Sequence, residues 1–137
     1  MPRANVMLVS AIVILLSATG ALRAEDLPTL QDRIVTTLYG PAYRLLFLGE
    51  RSVPVWIRAY NSTLKGAEMP GLREYFNGVF FERYKICDPD RCDSNYLVVL
   101  FTPGGREAWA VAVSNDERQF FGHPDPVTQQ HLVSAEK

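Results

Sequence analysis

The chain predicts an α+β domain, an antiparallel β-sheet flanked by N-terminal helices and a short C-terminal helix. Three observations carry this. Apolar residues recur at helical spacing only in the stretch that follows residue 27. Strand-length apolar runs separated by turn residues fill the chain after residue 79. Helices first and strands later, with no β-α-β alternation, points to segregated layers. Thirdly, the only two cysteines, Cys87 and Cys92, sit between two of the strand-like runs.

Taken in order, residues 1–24 read as a secretory signal peptide. Arg3 gives a positive start, residues 6–18 are apolar apart from Ser10 and Ser17, and Ala24 precedes the acidic pair Glu25-Asp26. This is the expected sequence of charged start, apolar middle and small residue at the cut, and cleavage is placed near Ala24. The apolar run is shorter than the ~20 residues of a spanning helix, so no stable membrane insertion is expected after cleavage. Residues 25–137 then form a single domain in the periplasm. Removing Arg3 and Arg23 from the 14 basic residues leaves 12 against 15 acidic ones, a net charge of −3. There is no basic run, which excludes a nucleic-acid reading based on clustered Lys and Arg.

Two helical pieces open the domain. Thr29 can cap the first, with Asp32 in its opening turn and Leu30, Ile34, Val35 and Leu38 as its apolar stripe. Gly40-Pro41 interrupts, and proline suits the first turn of a second helix running to about Leu48, with Ala42, Leu45, Leu46 and Leu48 inward and Gly49 as its stop. Residues 53–57 read as a short strand or extended segment that starts at a proline and buries Trp56. Residues 61–71 read as a loop. Asn61-Ser62-Thr63 matches a glycosylation sequon by pattern alone.

Residues 72–76 read either as a helical turn or as the start of a strand, broken by Gly78. Residues 79–86 alternate as a half-buried strand, with Phe80, Tyr84 and Ile86 on one side and Arg83 and Lys85 on the other. Residues 96–101 are apolar throughout, the pattern of a central strand covered on both faces. Pro103-Gly104-Gly105 turns the chain into a returning strand at 108–113. Residues 119–121 can add an edge strand, and Asp125 can cap a last helix over 126–132.

The loop Cys87-Asp88-Pro89-Asp90-Arg91-Cys92 is the candidate site. In an oxidising compartment so close a pair reads as a disulfide. A zinc site needs two further ligands, and His123 and His131 are the only histidines. Asp88, Asp90 and Asp93 raise a calcium reading, but the glycine and distal glutamate of a helix-loop-helix site are missing. A stapled turn that touches nothing is as compatible with the composition as a recognition loop. Enzymatic patterns are weak. There is no phosphate loop or nucleophile elbow, and Ser114, Asp116 and a histidine have no spacing that supports a triad. No enzyme, no cofactor and no metal are expected.

Pro41 to Gly49, the Pro54-Val55-Trp56 segment, Tyr84-Lys85-Ile86-Cys87, the spacing to Cys92 and the hairpin at 97–113 together resemble the periplasmic inhibitors of vertebrate lysozyme, the Ivy family. The resemblance covers the domain from the second helix onward. It implies a disulfide-closed loop that protrudes from an antiparallel sheet and plugs the substrate cleft of a C-type lysozyme. It is also compatible with a homodimer. Family members commonly carry Cys-Lys-Pro-His-Asp-Cys, in which the histidine hydrogen-bonds the two catalytic carboxylates. This sequence matches at Cys87, Pro89 and Cys92. Asp88 stands where the lysine would be, Asp90 where the histidine would be and Arg91 where the aspartate would be. The partner-binding loop implied is therefore Asp88, Pro89, Asp90 and Arg91, with Arg91 its only cation. A divergent relative that binds another periplasmic or peptidoglycan-cleaving partner through the same loop is the alternative expectation.

Overall fold

The run at residues 97–101 determines the architecture, because five consecutive apolar side chains leave a strand no face for water. A computed structural model describes residues 27–136, so the expected leader and its cleavage point lie outside the described residues. Among the described residues the elements in chain order are α1 (Leu30–Ile34), α2 (Gly40–Phe47), α3 (Val55–Thr63), β1 (Ala67–Glu68), β2 (Leu72–Phe76), β3 (Val79–Cys87), β4 (Asn95–Phe101), β5 (Ala108–Ser114), β6 (Glu117–Phe121) and α4 (Pro126–Ser134). The strands form one antiparallel sheet in the order β1-β3-β4-β5-β6, with β2 also on β3. The class is α+β, as the order of the patterns predicts.

Alternation along β4 sends side chains into two separate cores. Leu97, Val99 and Phe101 join Tyr84 and Ile86 of β3 and Ala110 and Ala112 of β5 beneath the three N-terminal helices. Val98 and Leu100 face the other way, with Val111, under Leu132 and Ala135 at the C-terminal helix. Registers Tyr84↔Val99 and Ile86↔Leu97 on one side and Val99↔Ala110 on the other keep these sets in line. β1 and β2 occupy one edge of β3 in succession, with Ala67 opposite Cys87 and Leu72 opposite Arg83. Pro70 lies between them, where its missing N–H interrupts the ladder. Asn77 and Gly78, both at positive φ, make the tight β2–β3 turn.

The helical caps follow the sequence. Thr29 and Asp32 form a reciprocal capping box at the start of α1. Asp125 accepts from Thr128 N at 2.7 Å and caps α4, and that bond holds its carboxyl below the ordinary value. Polar contacts then fix the layers. Arg33 of α1 donates from Nε to Tyr84 Oη at 2.8 Å and from Nη2 to Glu82 Oε1 at 3.0 Å. Tyr84 in turn donates to Glu82 Oε2 at 2.8 Å. His131 of α4 lies 2.9 Å from Glu74 Oε2 and stacks on Phe76 with ring centroids 4.1 Å apart.

Several expectations need correction. Residues 53–57 are not a strand, because α3 begins at Val55. Pro54 sits in extended backbone just before the first turn, a place that suits proline as well as the start of a strand. Ile57 and Tyr60, three apart, face the core, whereas Val55 is exposed and Trp56 only half-buried. The expected loop at 61–71 therefore starts inside a helix, and it contains β1. Asn61 accepts from Tyr43 Oη at 2.6 Å, so its side chain is engaged within the fold. Residues 72–76 resolve to a strand. Val35 and Leu38 leave the apolar stripe because α1 ends at Ile34, and both are exposed. In α2 the inward face is Ala42, Tyr43 and Leu46, with Leu45 and Leu48 in solvent. Phe80, expected on the buried side of β3 with Tyr84 and Ile86, is exposed and packs against Tyr75.

The α2 assignment makes a neighbour-pair prediction. In urea unfolding, Leu46→Ala is expected to cost about 2–5 kcal/mol, while Leu45→Ala stays within about 0.5 kcal/mol. Equal losses would reject this facing of the helix. A second prediction concerns alkali. Burial pushes the phenols of Tyr43, Tyr60 and Tyr84 up from their ordinary value, with hydrogen bonding to Glu68 and Glu82 adding to the rise at Tyr60 and Tyr84. Unfolded tyrosine titrates near about pH 10. Below that pH both states stay protonated and stability is constant; above it the unfolded chain alone ionises, and stability falls. Tyrosinate absorbance for these residues should therefore appear together with loss of the far-ultraviolet signal, above about pH 10.

Candidate functional site

The candidate site is the connection between β3 and β4, at the end of the sheet. Its residues fold as they do because each is suited to its place in two successive turns. Asp88 N donates to Asn95 O at 3.0 Å, which extends the ladder beyond the Cys87↔Tyr96 pair. Arg91 N donates to Asp88 O at 3.0 Å and closes the turn Asp88-Pro89-Asp90-Arg91. Aspartate first and proline second is the favoured order for such a turn. The Asp88 carboxylate accepts from Asp90 N at 3.1 Å through Oδ1 and faces Asn95 Nδ2 at 3.4 Å through Oδ2. The return is made by Ser94 N and Asn95 N, which both donate to Arg91 O, at 3.1 and 2.8 Å. Asn115 N, from the β5–β6 turn, donates to Ser94 O at 3.1 Å and ties the loop to its neighbour.

Cys87 and Cys92 are joined in a disulfide, with Cα atoms 4.8 Å apart. Cys87 is buried at the end of β3 and Cys92 is exposed. The bond thus clips a solvent-facing turn to the rim of the core. Pro89, Asp90, Arg91 and Asp93 are exposed, whereas Asp88 is half-buried with both carboxylate oxygens engaged inside the loop. Of the four residues singled out in sequence, three face solvent and one holds their shape. Among the described residues Arg91 has no carboxylate within ion-pair distance, so its guanidinium is free to meet a partner.

The loop is one wall of a shallow groove of about 380 Å³. The N-terminus of α3 supplies Pro54, Val55 and Trp56, and the β5–β6 turn supplies Ser114 and Asn115. Trp56 donates from Nε1 to Ser114 Oγ at 3.4 Å. Asn95, 7% exposed, forms part of the floor. No pattern in the sequence marks this groove: Trp56 reads as part of a strand or extended segment, and Asn95 and Ser114 are strand-end residues with nothing in their spacing to mark them.

The weaker candidates separate in space. Among the described residues no three of His, Cys, Asp and Glu converge on a cation position, and the Asp88 oxygens that a calcium site would need are engaged within the loop. Ser114 pairs with Trp56, His131 with Glu74, and His123 sits in a turn at positive φ, so no triad is assembled from them. No family model matches the chain, and no curated protein matches it.

Replacing both Cys87 and Cys92 with serine tests what holds the loop. A six-residue ring contributes at most about 2 kcal/mol by chain entropy, so the double variant should remain folded. Its amide exchange should rise only within residues 88–95. Asp88→Ala should cost about 1–2 kcal/mol, because Asn95 Nδ2 and Asp90 N lose their acceptor, and it should accelerate exchange at Asp90 specifically. Exchange unchanged there would show that the carboxylate does not shape the turn.

Proposed function

We propose that this protein is exported to the periplasm, where it inhibits a C-type lysozyme by inserting the Cys87–Cys92 loop into the enzyme's substrate cleft. The observation that carries the reading is the presentation of Pro89, Asp90 and Arg91. They are exposed on a loop closed by a disulfide and pinned at its base by hydrogen bonds to Asn95 and Asn115. A pre-shaped plug has little conformational entropy to lose on binding. The cleft it would enter carries two carboxylates that flank the scissile bond. Arg91 is the residue suited to them, since a guanidinium pairs with carboxylates through two parallel N–H donors. The resemblance to the Ivy family in the order of Pro54-Val55-Trp56, Cys87, Pro89, Cys92 and the following hairpin supports the same reading.

A second reading rests on Asp90. In the resembling inhibitors a histidine stands at that place, and a third carboxylate brought against two others is repelled unless one takes up a proton. On this reading the loop serves another peptidoglycan-cleaving enzyme whose cleft tolerates an acidic residue.

The test is a titration of C-type lysozyme with the mature protein and two variants. On the first reading the unaltered protein inhibits. Arg91→Ala then weakens inhibition about 30-fold or more, as expected for loss of about 2–5 kcal/mol when a desolvated charge pair is truncated. Inhibition that is absent in the unaltered protein and gained with Asp90→His supports the second reading. Inhibition indifferent to Arg91 rejects the role given to that side chain.

A further inference from the structure

The three N-terminal helices enclose a cavity of about 460 Å³ that opens to solvent and shares no residue with the groove beside the loop. Its wall is apolar in effect. Ile34 at the end of α1, Phe47 on α2 and Leu64 at the end of α3 supply hydrocarbon, and the exposed Val35 supplies part of the rim. The two neutral polar groups on the lining satisfy each other, since Tyr43 Oη donates to Asn61 Oδ1 at 2.6 Å. Leu64 ends α3 at φ 54°, in the left-handed region where glycine is usual. Such strain persists where the surroundings impose it, and here it accompanies a side chain packed on the core of the helix layer.

The remaining residue on the lining is Arg44. It is exposed, and among the described residues it has no carboxylate within ion-pair distance. Its guanidinium folds back over the first turn of α2, where a Cβ on Gly40 would stand 3.0 Å from Arg44 Nη1. A hydrocarbon recess with one unpaired cation at its edge suits an amphiphile with a single anionic head. We propose that the cavity binds a medium-chain alkyl carboxylate, its chain against Ile34, Phe47 and Leu64 and its head on the Arg44 guanidinium, a charge-assisted pairing. The volume lies in the ordinary range for small-ligand sites. A bilayer surface is the competing occupant of this side of the molecule. It would be met by the exposed Leu38, Leu45 and Leu48, none of which lines the cavity, so the two separate by experiment. Occupancy of this site does not depend on the plug reading.

The experiment is a nuclear magnetic resonance titration of the mature protein with acetate, hexanoate, octanoate and octanol, with sedimentation on phosphatidylethanolamine–phosphatidylglycerol vesicles as a separate arm. Octanoate is expected to shift the methyl resonances of Ile34, Val35 and Leu64 and to leave Val98 and Leu100, in the other core, unmoved. It should bind about tenfold more tightly than hexanoate, the effect of burying two further methylenes, and acetate should leave the spectrum unchanged. Arg44→Gln should weaken octanoate about fivefold, as for a partly exposed ion pair, and leave octanol binding as it was. Val35→Glu, at a residue 64% exposed, should abolish octanoate binding with the circular dichroism spectrum intact. Equal affinity for hexanoate and octanoate, octanoate binding indifferent to Arg44→Gln, shifts confined to Leu38, Leu45 and Leu48, sedimentation with vesicles without any octanoate shift, or no shift at tens of millimolar octanoate would each overturn the proposal.

Discussion

Strand β4 has no side in water, and the rest of the molecule follows from that. Its odd-numbered apolar residues need the N-terminal helices and its even-numbered ones need α4, so layers on both faces are obligatory. With both faces covered, the sheet can display residues only at its ends and edges. The loop at the start of β4 is therefore where the fold has freedom to present a shape. The energy comes from burial on the two faces, while the hydrogen bonds around Asp88 and Asn95 set the geometry at the end.

The helix layer is joined to this frame through a small charged cluster. Glu82 is buried on β3, and it is acceptable there because Arg33 and Tyr84 satisfy its two oxygens. Removing one partner of such a cluster costs more than the cluster contributes, which makes it a fixed point for α1 rather than a source of net stability. His131 and Glu74 join α4 to β2 in a similar way. The connections couple residues 49 and 57 positions apart, Arg33 with Glu82 and Glu74 with His131, and no local pattern announces either one.

What the sequence shows depends on the range over which the cause acts. The cap at Thr29, the break at Gly78, the two-faced burial of β4 and the Asp125 cap are local, and the residues at those positions reveal them. The disulfide was legible from the spacing and the expected compartment. The stretch around Trp56 reads as extended, although it folds as a helix, because a proline followed by a short apolar run fits a strand start and a helix start equally well. Tyr60, one turn beyond Trp56, carries the helical periodicity that separates the two. Leu45 and Leu48 read as inward because apolar residues lie nearly all round α2, and only the neighbouring strands decide which side is covered. The loop is legible from its two cysteines, yet its division into a holding residue, Asp88, and three displayed ones depends on the hydrogen bonds. The groove has no local signature, since it is assembled from a helix N-terminus, the β3–β4 loop and the β5–β6 turn, far apart in the chain.

Competition tests most directly the proposal that the Cys87–Cys92 loop enters a lysozyme's glycan-binding cleft: the mature protein bound to C-type lysozyme is challenged with an N-acetylglucosamine trimer that fills the enzyme's cleft. Mutually exclusive binding is expected, with apparent affinity falling in proportion to the trimer's occupancy of the enzyme. A complex that forms equally well on trimer-saturated lysozyme, or no complex at all, would contradict it.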